Sequence, residues 1–530
     1  MSAETQPVLI AGEWRTSKGT KTFQASNPKT REKLPELYPV SPWDEIEEAI
    51  EAASAAADEL HSFTPEKIAD FLEKFADRIE ARDDEISDLA EIETALPKEP
   101  RLKSIELPRT TGQIRQAAAA ARDRSWCLPT IDSENNVRSV YRAIGPVCVF
   151  GPNNFPLAFG SVAGGDFAAA IAAGNPVIGK ANSSHPGTTK LLAEEALRAA
   201  NETGMPASIV QLLYRADHDD GKRMVAHPKV GATGYTGSRS AGLALKAAAD
   251  AAGIPIYLEL SSINPVIVLP GALNERSDDV ADEFLTSVLM GTGQFCTNPG
   301  LVLMLQGDES DQFVEKAKSR LDDAPVGTLL SEGVERNLLS GFESLQEAGA
   351  ELVTGGEAGG GEGFCCNNTL LKVSGEQFLN NSAGLQEEAF GNSSLFVISR
   401  TSQELKDVID TIEGNLTGCI YSHSGSDDDE LYSDIEPHLR KCVGRLINDK
   451  MPTGVLVSEA MNHGGPYPAT GHPGFTAVGI PASLLRFGML QCYDNVREER
   501  LPGELRDKNP TGGVWRRIDG EWTHKDVGET

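Results

Sequence analysis

Val230-Gly231-Ala232-Thr233-Gly234-Tyr235-Thr236-Gly237-Ser238 reads as a strand that runs through a Gly-Ser turn into a helix near 240–252, after which Ile256-Tyr257-Leu258-Glu259-Leu260 returns as a strand. Strand, helix and strand within roughly 30 residues form a βαβ unit. The same alternation extends upstream. Val147-Cys148-Val149-Phe150, Pro176-Val177-Ile178-Gly179-Lys180 and Ile209-Val210-Gln211-Leu212-Leu213 are apolar runs of strand length. Between them lie a helix ending near Gly174, a helix over 187–201 closed by Gly204, and a helix around 217–226. Such alternation predicts a parallel, doubly wound α/β sheet whose ligands sit at the carboxyl ends of the strands. A second α/β run covers about 266–460, with the Gly-rich stretch 355–363 as a surface loop. Ahead of both, residues 7–40 read as short strands and turns, and Trp43 to about Arg122 as amphipathic helix punctuated at Pro65 and Leu96-Pro97. The tail 501–530, with Pro502 and Gly512-Gly513, reads as loosely structured, with Trp515 and Trp522 as the residues expected to dock it.

A chain of 530 residues exceeds one hydrophobic core, so two or three packing units are expected. With 48 basic and 78 acidic residues the net charge is −30, and no basic stripe is visible. That balance argues against a nucleic-acid partner. It also means that an anionic substrate would need a locally basic pocket. Met1-Ser2-Ala3-Glu4-Thr5 lacks a basic and apolar leader pattern, and no apolar run reaches the ~18 residues of a membrane span. The eight cysteines show neither zinc-like spacing nor a disulfide framework. The expectation is a cytoplasmic protein with no membrane partner and no metal.

Three short segments carry chemistry. Gly293-Gln294-Phe295-Cys296-Thr297-Asn298 sets a thiol in a Gly-flanked turn, downstream of the strand that ends at Glu259. A thiolate that attacks a carbonyl and a carboxylate that later activates water are the two groups needed for oxidative acyl-enzyme chemistry. Gly151-Pro152-Asn153-Asn154-Phe155-Pro156 follows a strand and offers an amide donor for an oxyanion. Each has a plain alternative: a buried structural thiol, an exposed strand-end carboxylate, an Asn stabilising its own turn.

Together with Lys180, Tyr235-Thr236-Gly237-Ser238 and Glu387-Glu388-Ala389-Phe390-Gly391, these blocks resemble the aldehyde dehydrogenase superfamily over nearly the whole chain. The resemblance implies a Rossmann-type cofactor domain (1–127 and 146–258), an α/β catalytic domain bearing the nucleophile (259–478), a β-flap for oligomerisation (128–145 and 479–500) and a C-terminal extension (501–530). It implies Cys296 as nucleophile, Glu259 as the base for thioester hydrolysis, and Asn154 with the Cys296 backbone N–H as oxyanion donors. Lys180 would bond the adenosine ribose, Gly237 and Ser238 would face the pyrophosphate at a helix N-terminus, Glu388 would hold the nicotinamide ribose and Phe390 would pack beside the ring. Ser183 is small and neutral where NAD-preferring relatives often carry Glu, so NADP is admitted and NAD remains possible. His185 and Arg215 are either partners for its 2′-phosphate or plain surface residues.

Glu259-Leu260-Ser261-Ser262-Ile263-Asn264-Pro265 and His463-Gly464-Gly465-Pro466-Tyr467-Pro468 are similar to a subgroup that oxidises 2,5-dioxopentanoate (α-ketoglutarate semialdehyde) to 2-oxoglutarate. Enzymes acting on fatty or general aldehydes are the neighbouring reading, and a non-catalytic binding protein on the same fold the remote one. A dicarbonyl acid needs a cation; Arg109 and Arg115 are candidates, either of which could instead be a salt-bridged surface residue. His463 is expected near the substrate mouth. A homodimer or homotetramer is implied. Asn392 stands where the family usually has Pro, which would loosen the loop bearing Glu388.

Overall fold

The computed structural model describes residues 5–529. The first unit is a seven-stranded sheet. Ile256–Glu259, Ala232–Thr236, Val147–Phe150, Val177–Lys180 and Val210–Leu213 lie in that spatial order and run parallel. Val8–Ile10 and Glu13–Arg15 add antiparallel strands at the far edge. From Val147–Phe150 the chain winds outward to one side and then crosses back to Ala232–Thr236 on the other. The switch point, where the adjacent strand ends diverge and open a crevice, therefore lies between these two strands.

The helices form where the sequence marks them. Pro65 sits at the start of the helix Pro65–Glu80, with the Thr64 hydroxyl accepting from the Lys67 N–H. Gly204, in the left-handed region at φ +66°, closes Pro186–Thr203. One apolar core, including Phe71, Phe75, Phe167, Val177 and Leu212, joins these helices to the sheet.

The second unit is also a seven-stranded sheet. Thr369–Ser374, Ser393–Ser399, Leu301–Leu305, Pro265–Val268, Asn415–Tyr421 and Val443–Asn448 are parallel, with Glu351–Thr354 antiparallel at one edge. Its two faces pack separate cores, one around Phe342 and Phe378, the other around Phe284, Phe313 and Phe396. The connection after Asn448 returns to the first unit, where Leu260 N–H donates to Ala469 O and Gly471 N–H to Leu258 O, at 2.8 and 2.9 Å. That return places residues near 463 beside Glu259.

A five-stranded flap joins Gly488–Asp494, Val137–Ala143 and Thr130–Asp132 to Arg516–Ile518 and Glu521–Thr523. The C-terminal extension is thus ordered sheet, contrary to the loose tail expected. Trp515 and Trp522 do not dock it, being 45% and 52% exposed. Arg516 ties the tail to itself: its side chain is wholly buried and donates to the carbonyls of Asp507 and Lys525, while Arg516–Ile518 pairs in parallel with Thr130–Asp132. Arg138 reaches Asp507 and Arg124 pairs with buried Glu504. Ion pairs act beside buried Leu501, Leu505 and Ile518, which join the core of the first unit. Among the described residues no helix is long and apolar enough to cross a membrane.

Candidate active site

Three side chains from distant segments converge between the two units. Glu259 ends the edge strand of the first sheet. Cys296 lies in a turn after the irregular segment Met290–Gly293 of the second unit. His463 comes from the returning connection. Its Nε2 stands 3.0 Å from Glu259 Oε1 and 3.4 Å from Cys296 Sγ, with His463 1% and Glu259 2% exposed. His463 therefore lies inside the site, and not at the substrate mouth where the sequence reading expected it. The His463 backbone is held by Thr476 Oγ1 and by Ala477 N–H, and its ring lies 5.7 Å from that of Phe159.

The thiol turn is a consequence of backbone geometry. Gly291 and Gly293 take φ of +57° and +68°. A Cβ on Gly293 would lie 2.1 Å from Gly391 O and 2.5 Å from Asn392 N, so only glycine brings the thiol turn against the Glu388 loop. Asn264 Nδ2 donates to the carbonyls of Cys296 and Asn298, both at 2.9 Å, and Asn415 Oδ1 accepts from the N–H groups of Ile263 and Asn264. Burial first, and next the charge of Glu259, pushes the Cys296 thiol well above its ordinary range, while Arg109 opposes this. Nucleophilic attack from this site requires a proton acceptor within reach.

Asn154 follows the strand Val147–Phe150, and its Nδ2 donates to Gln294 O at 2.9 Å, two residues before the thiol. The loop carrying it is braced by residues the sequence reading missed. Buried Glu106 accepts from the N–H groups of Leu157 and Ala158 at 2.9 Å, pairs with Arg101, and Arg101 donates to Asn154 O at 3.1 Å. His185 belongs to the same brace. It is fully buried, its Nε2 donates to Pro152 O at 2.9 Å, and burial lowers its pKa. It is not a phosphate partner, since both ring nitrogens face protein groups, the second at 3.4 Å from Thr189 Oγ1. No local pattern signals a buried Arg–Glu brace.

Along the carboxyl edge of the first sheet, Lys180 ends its strand, and its ammonium makes no hydrogen bond or ion pair among the described residues. Burial first, then neighbouring Arg215, lowers its pKa to about 8. Arg215 is exposed, with its guanidinium 5.7 Å from the Phe23 ring, and Ser183 stands half-buried between Lys180 and the helix Pro186–Thr203. Ser238 precedes the helix Arg239–Ala252 without a side-chain cap, and a Cβ on Gly237 would lie 2.8 Å from Tyr235 Oη. An unpaired cation and an uncapped helix start are what a dinucleotide phosphate requires.

Glu388 and Phe390 line one small cavity with Ser262 and Gly293. Burial raises the Glu388 carboxyl to about 7, against the Ser261 hydroxyl and the Ser262 N–H, which lower it. Asn392 does not loosen this loop. It is buried, and its Nδ2 donates to Cys366 O and Asn368 Oδ1 at 2.9 and 2.7 Å, which replaces the rigidity of a proline ring by hydrogen bonds.

A cavity of about 910 Å³, lined by Arg101, Arg109, Phe155, Phe295, Met290 and Leu456 among others, opens beside the thiol turn. Arg109 Nε and Nη2 are buried without a hydrogen-bond partner, and the guanidinium lies 5.0 Å from the Phe159 ring. Arg115 is elsewhere. It pairs with Asp77 and Glu80 of the helix Pro65–Glu80 and is not a substrate residue. Six positions turn a helix by about 600°, which puts the two arginines on different faces.

The model of the aldehyde dehydrogenase family matches residues 14–437. Alpha-ketoglutaric semialdehyde dehydrogenase 2 of Azospirillum brasilense is 38% identical over 516 residues, 95% of this chain and 97% of that protein. Alpha-ketoglutaric semialdehyde dehydrogenase of Acinetobacter baylyi is 34% identical over 525 residues, covering 96% and 97%. Among solved structures, lactaldehyde dehydrogenase from Escherichia coli superposes with a TM-score of 0.79 at 23% identity, over 92% of this chain and 98% of that one.

Proposed function

The chain belongs to the aldehyde dehydrogenase family, and on that premise we propose that it oxidises 2,5-dioxopentanoate to 2-oxoglutarate through a thiohemiacetal and a thioester on Cys296, with NADP as cofactor and NAD accommodated. Arg109 carries the substrate reading. A buried guanidinium with two unpartnered nitrogens is costly, and the carboxylate of a short oxo acid whose aldehyde lies at Cys296 is the partner it lacks. The names of the two curated relatives agree with this reading. The apolar cavity walls, Leu289, Met290, Val455 and Leu456 among them, support a second reading in which alkyl aldehydes enter.

In this reading Lys180, Gly237, Ser238 and Glu388 hold the dinucleotide, Phe390 packs beside its ring, and Ser183 and Arg215 leave room and charge for a 2′-phosphate. Bound there, the nicotinamide would supply the acceptor for the hydride of the substrate carbon. Asn154 and the Cys296 N–H hold the developing oxyanion, and Glu259 activates the water that releases the acid. The unpaired edge strand Gly488–Asp494, with Met489 and Leu490 exposed, supports pairing of copies through the flap into a dimer or tetramer. Eight unbridged cysteines fit a reducing, cytoplasmic setting.

Initial rates with 2,5-dioxopentanoate, succinate semialdehyde and decanal, each with NADP and with NAD, test the assignment. The expected kcat/KM for the dioxo acid exceeds that for decanal by about 100-fold, or about 2.7 kcal/mol. Arg109→Ala should remove most of that advantage and leave decanal nearly unchanged. Equal losses on both substrates would remove the carboxylate reading.

Glu388 sets a pH dependence. An ionised carboxylate accepts ribose hydroxyls better than a neutral acid, and this one becomes protonated as pH falls through about 7. The KM for cofactor should therefore rise below that pH and level off above it, and Glu388→Gln should flatten the profile. A wild-type KM constant across this range would exclude Glu388 from the ribose site.

A further inference from the structure

Glu259 is held through both its backbone and its side chain. The backbone ends the strand Ile256–Glu259 and is bridged to Thr470, while Leu260 N–H and Gly471 N–H bond across the same junction. The side chain is buried, and its two oxygens differ: Oε1 lies 3.0 Å from His463 Nε2, and Oε2 has no partner. An ionised carboxylate only accepts, so this contact is an N–H donated by His463, and Nε2 has no lone pair left for another proton. The imidazole is itself braced. The His463 N–H donates to Thr476 Oγ1 and its carbonyl accepts from Ala477 N–H, both at 2.9 Å. Its ring packs 5.7 Å from that of Phe159, which rests against Phe155 at 5.4 Å. The same ring reaches Cys296 Sγ at 3.4 Å, so it sets the spacing between carboxylate and sulfur.

We propose that His463 is a positioning residue for the second half of the reaction: its Nε2–H holds Glu259 beside the thioester and leaves Oε2 as the oxygen that takes a proton from water. This rests on the reading of Cys296 as nucleophile and Glu259 as base. A carboxylate so deeply buried is costly as an anion unless it is given a donor, and without one it would turn toward solvent. One charge-assisted hydrogen bond from a braced ring removes that tendency. In deacylation Oε2 removes a proton from water, whose oxygen bonds to the thioester carbon while the C=O π pair moves to oxygen. The pair returns, the C–S bond breaks, and sulfur takes the proton from Oε2. Burial, and next the Glu259 charge, push the Cys296 thiol up, so the departing sulfur is the stronger base and the carboxylate is regenerated. The product leaves as the acid and gives its remaining proton to solvent. The Nε2–H stays on nitrogen throughout, and His463 acts only through Glu259.

The test follows the two halves of one turnover separately, by rapid-mixing formation of reduced cofactor and by intact-mass detection of acyl-enzyme. The fastest aldehyde of the substrate panel is used, so the outcome does not depend on which substrate wins. The variants are His463→Phe, which keeps a packed ring and removes the donor, His463→Gln, which restores an N–H, Glu259→Gln, and His463→Phe combined with Glu259→Gln. His463→Phe should form the first equivalent of reduced cofactor near the wild-type rate, accumulate acyl-enzyme and turn over about 100-fold more slowly, the scale of a reacting group displaced by about 1 Å. His463→Gln should recover at least about tenfold of that loss, as a hydrogen bond to a charged group requires. In the Glu259→Gln background His463→Phe should add no further loss, because it acts only through the carboxylate. A first equivalent slowed as much as turnover, or no acyl-enzyme in the His463 variants alone, would place the residue in the fold or in attack and overturn the proposal. Acyl-enzyme hydrolysed at the wild-type rate in His463→Phe also overturns it, as do additive losses in the double variant. Failure of the underlying reading looks different: no acyl-enzyme on Cys296 in any variant, Glu259→Gln included.

Discussion

With Cys296→Ala, kcat/KM for aldehyde oxidation should fall by about 10⁶, close to 8 kcal/mol of transition-state stabilisation, the scale seen when a covalent nucleophile is removed. The loss is not rescued by another thiol. Burial holds Cys127, Cys148 and Cys366 at about 12 and Cys442 at about 11. Cys365 and Cys419 are buried too, and exposed Cys492 sits on the flap strand Gly488–Asp494. Cofactor binding should survive, because Lys180, Gly237 and Ser238, the residues proposed to hold it, belong to the other unit. Fluorescence titration with reduced cofactor and initial rates with 2,5-dioxopentanoate and decanal separate these quantities. Residual oxidation above about 1% of wild type would contradict a covalent mechanism at Cys296.

Gly293→Ala should give the second large loss, without touching a reacting atom. The residue lies at φ +68°, where alanine is strained, and its Cβ would meet Gly391 O at 2.1 Å. That contact is backbone on both sides, so no rotamer relieves it. Either the thiol turn or the loop bearing Glu388 has to move. A displacement of about 1 Å at a reacting group costs on the order of 100-fold in rate, and here the cofactor side should be displaced as well. The expected result is a fall of at least about 100-fold in kcat, a higher KM for cofactor and a lower melting temperature. Gly221→Ala is the control, since a Cβ there meets nothing within 4 Å. Wild-type rates in Gly293→Ala would mean that the two loops are not packed this closely in solution.

Much of the molecule was legible in the chain itself. Apolar runs of strand length between helical stretches specify the parallel sheet, because each is a local pattern that its own neighbours determine. Gly204 closing a helix, Pro65 opening one and Glu259 ending a strand were legible for the same reason. The thiol, carboxylate and amide segments are likewise short and self-announcing.

The tertiary structure decided the rest, where an outcome depends on residues far apart in the chain. His463 reaches Cys296 across 167 positions and Glu259 across 204, and only the return of the connection after Asn448 brings them together. The ion pairs that tie Arg115 to Asp77 and Glu80, and the Arg101–Glu106 brace under Asn154, come from helix faces meeting in space. Arg124 and Arg138 hold the tail through Glu504 and Asp507, partners more than 360 positions away in the chain. Periodicity reports which face of an element is apolar. It does not report which polar groups that face will meet, and in this protein those meetings set the geometry of the active site.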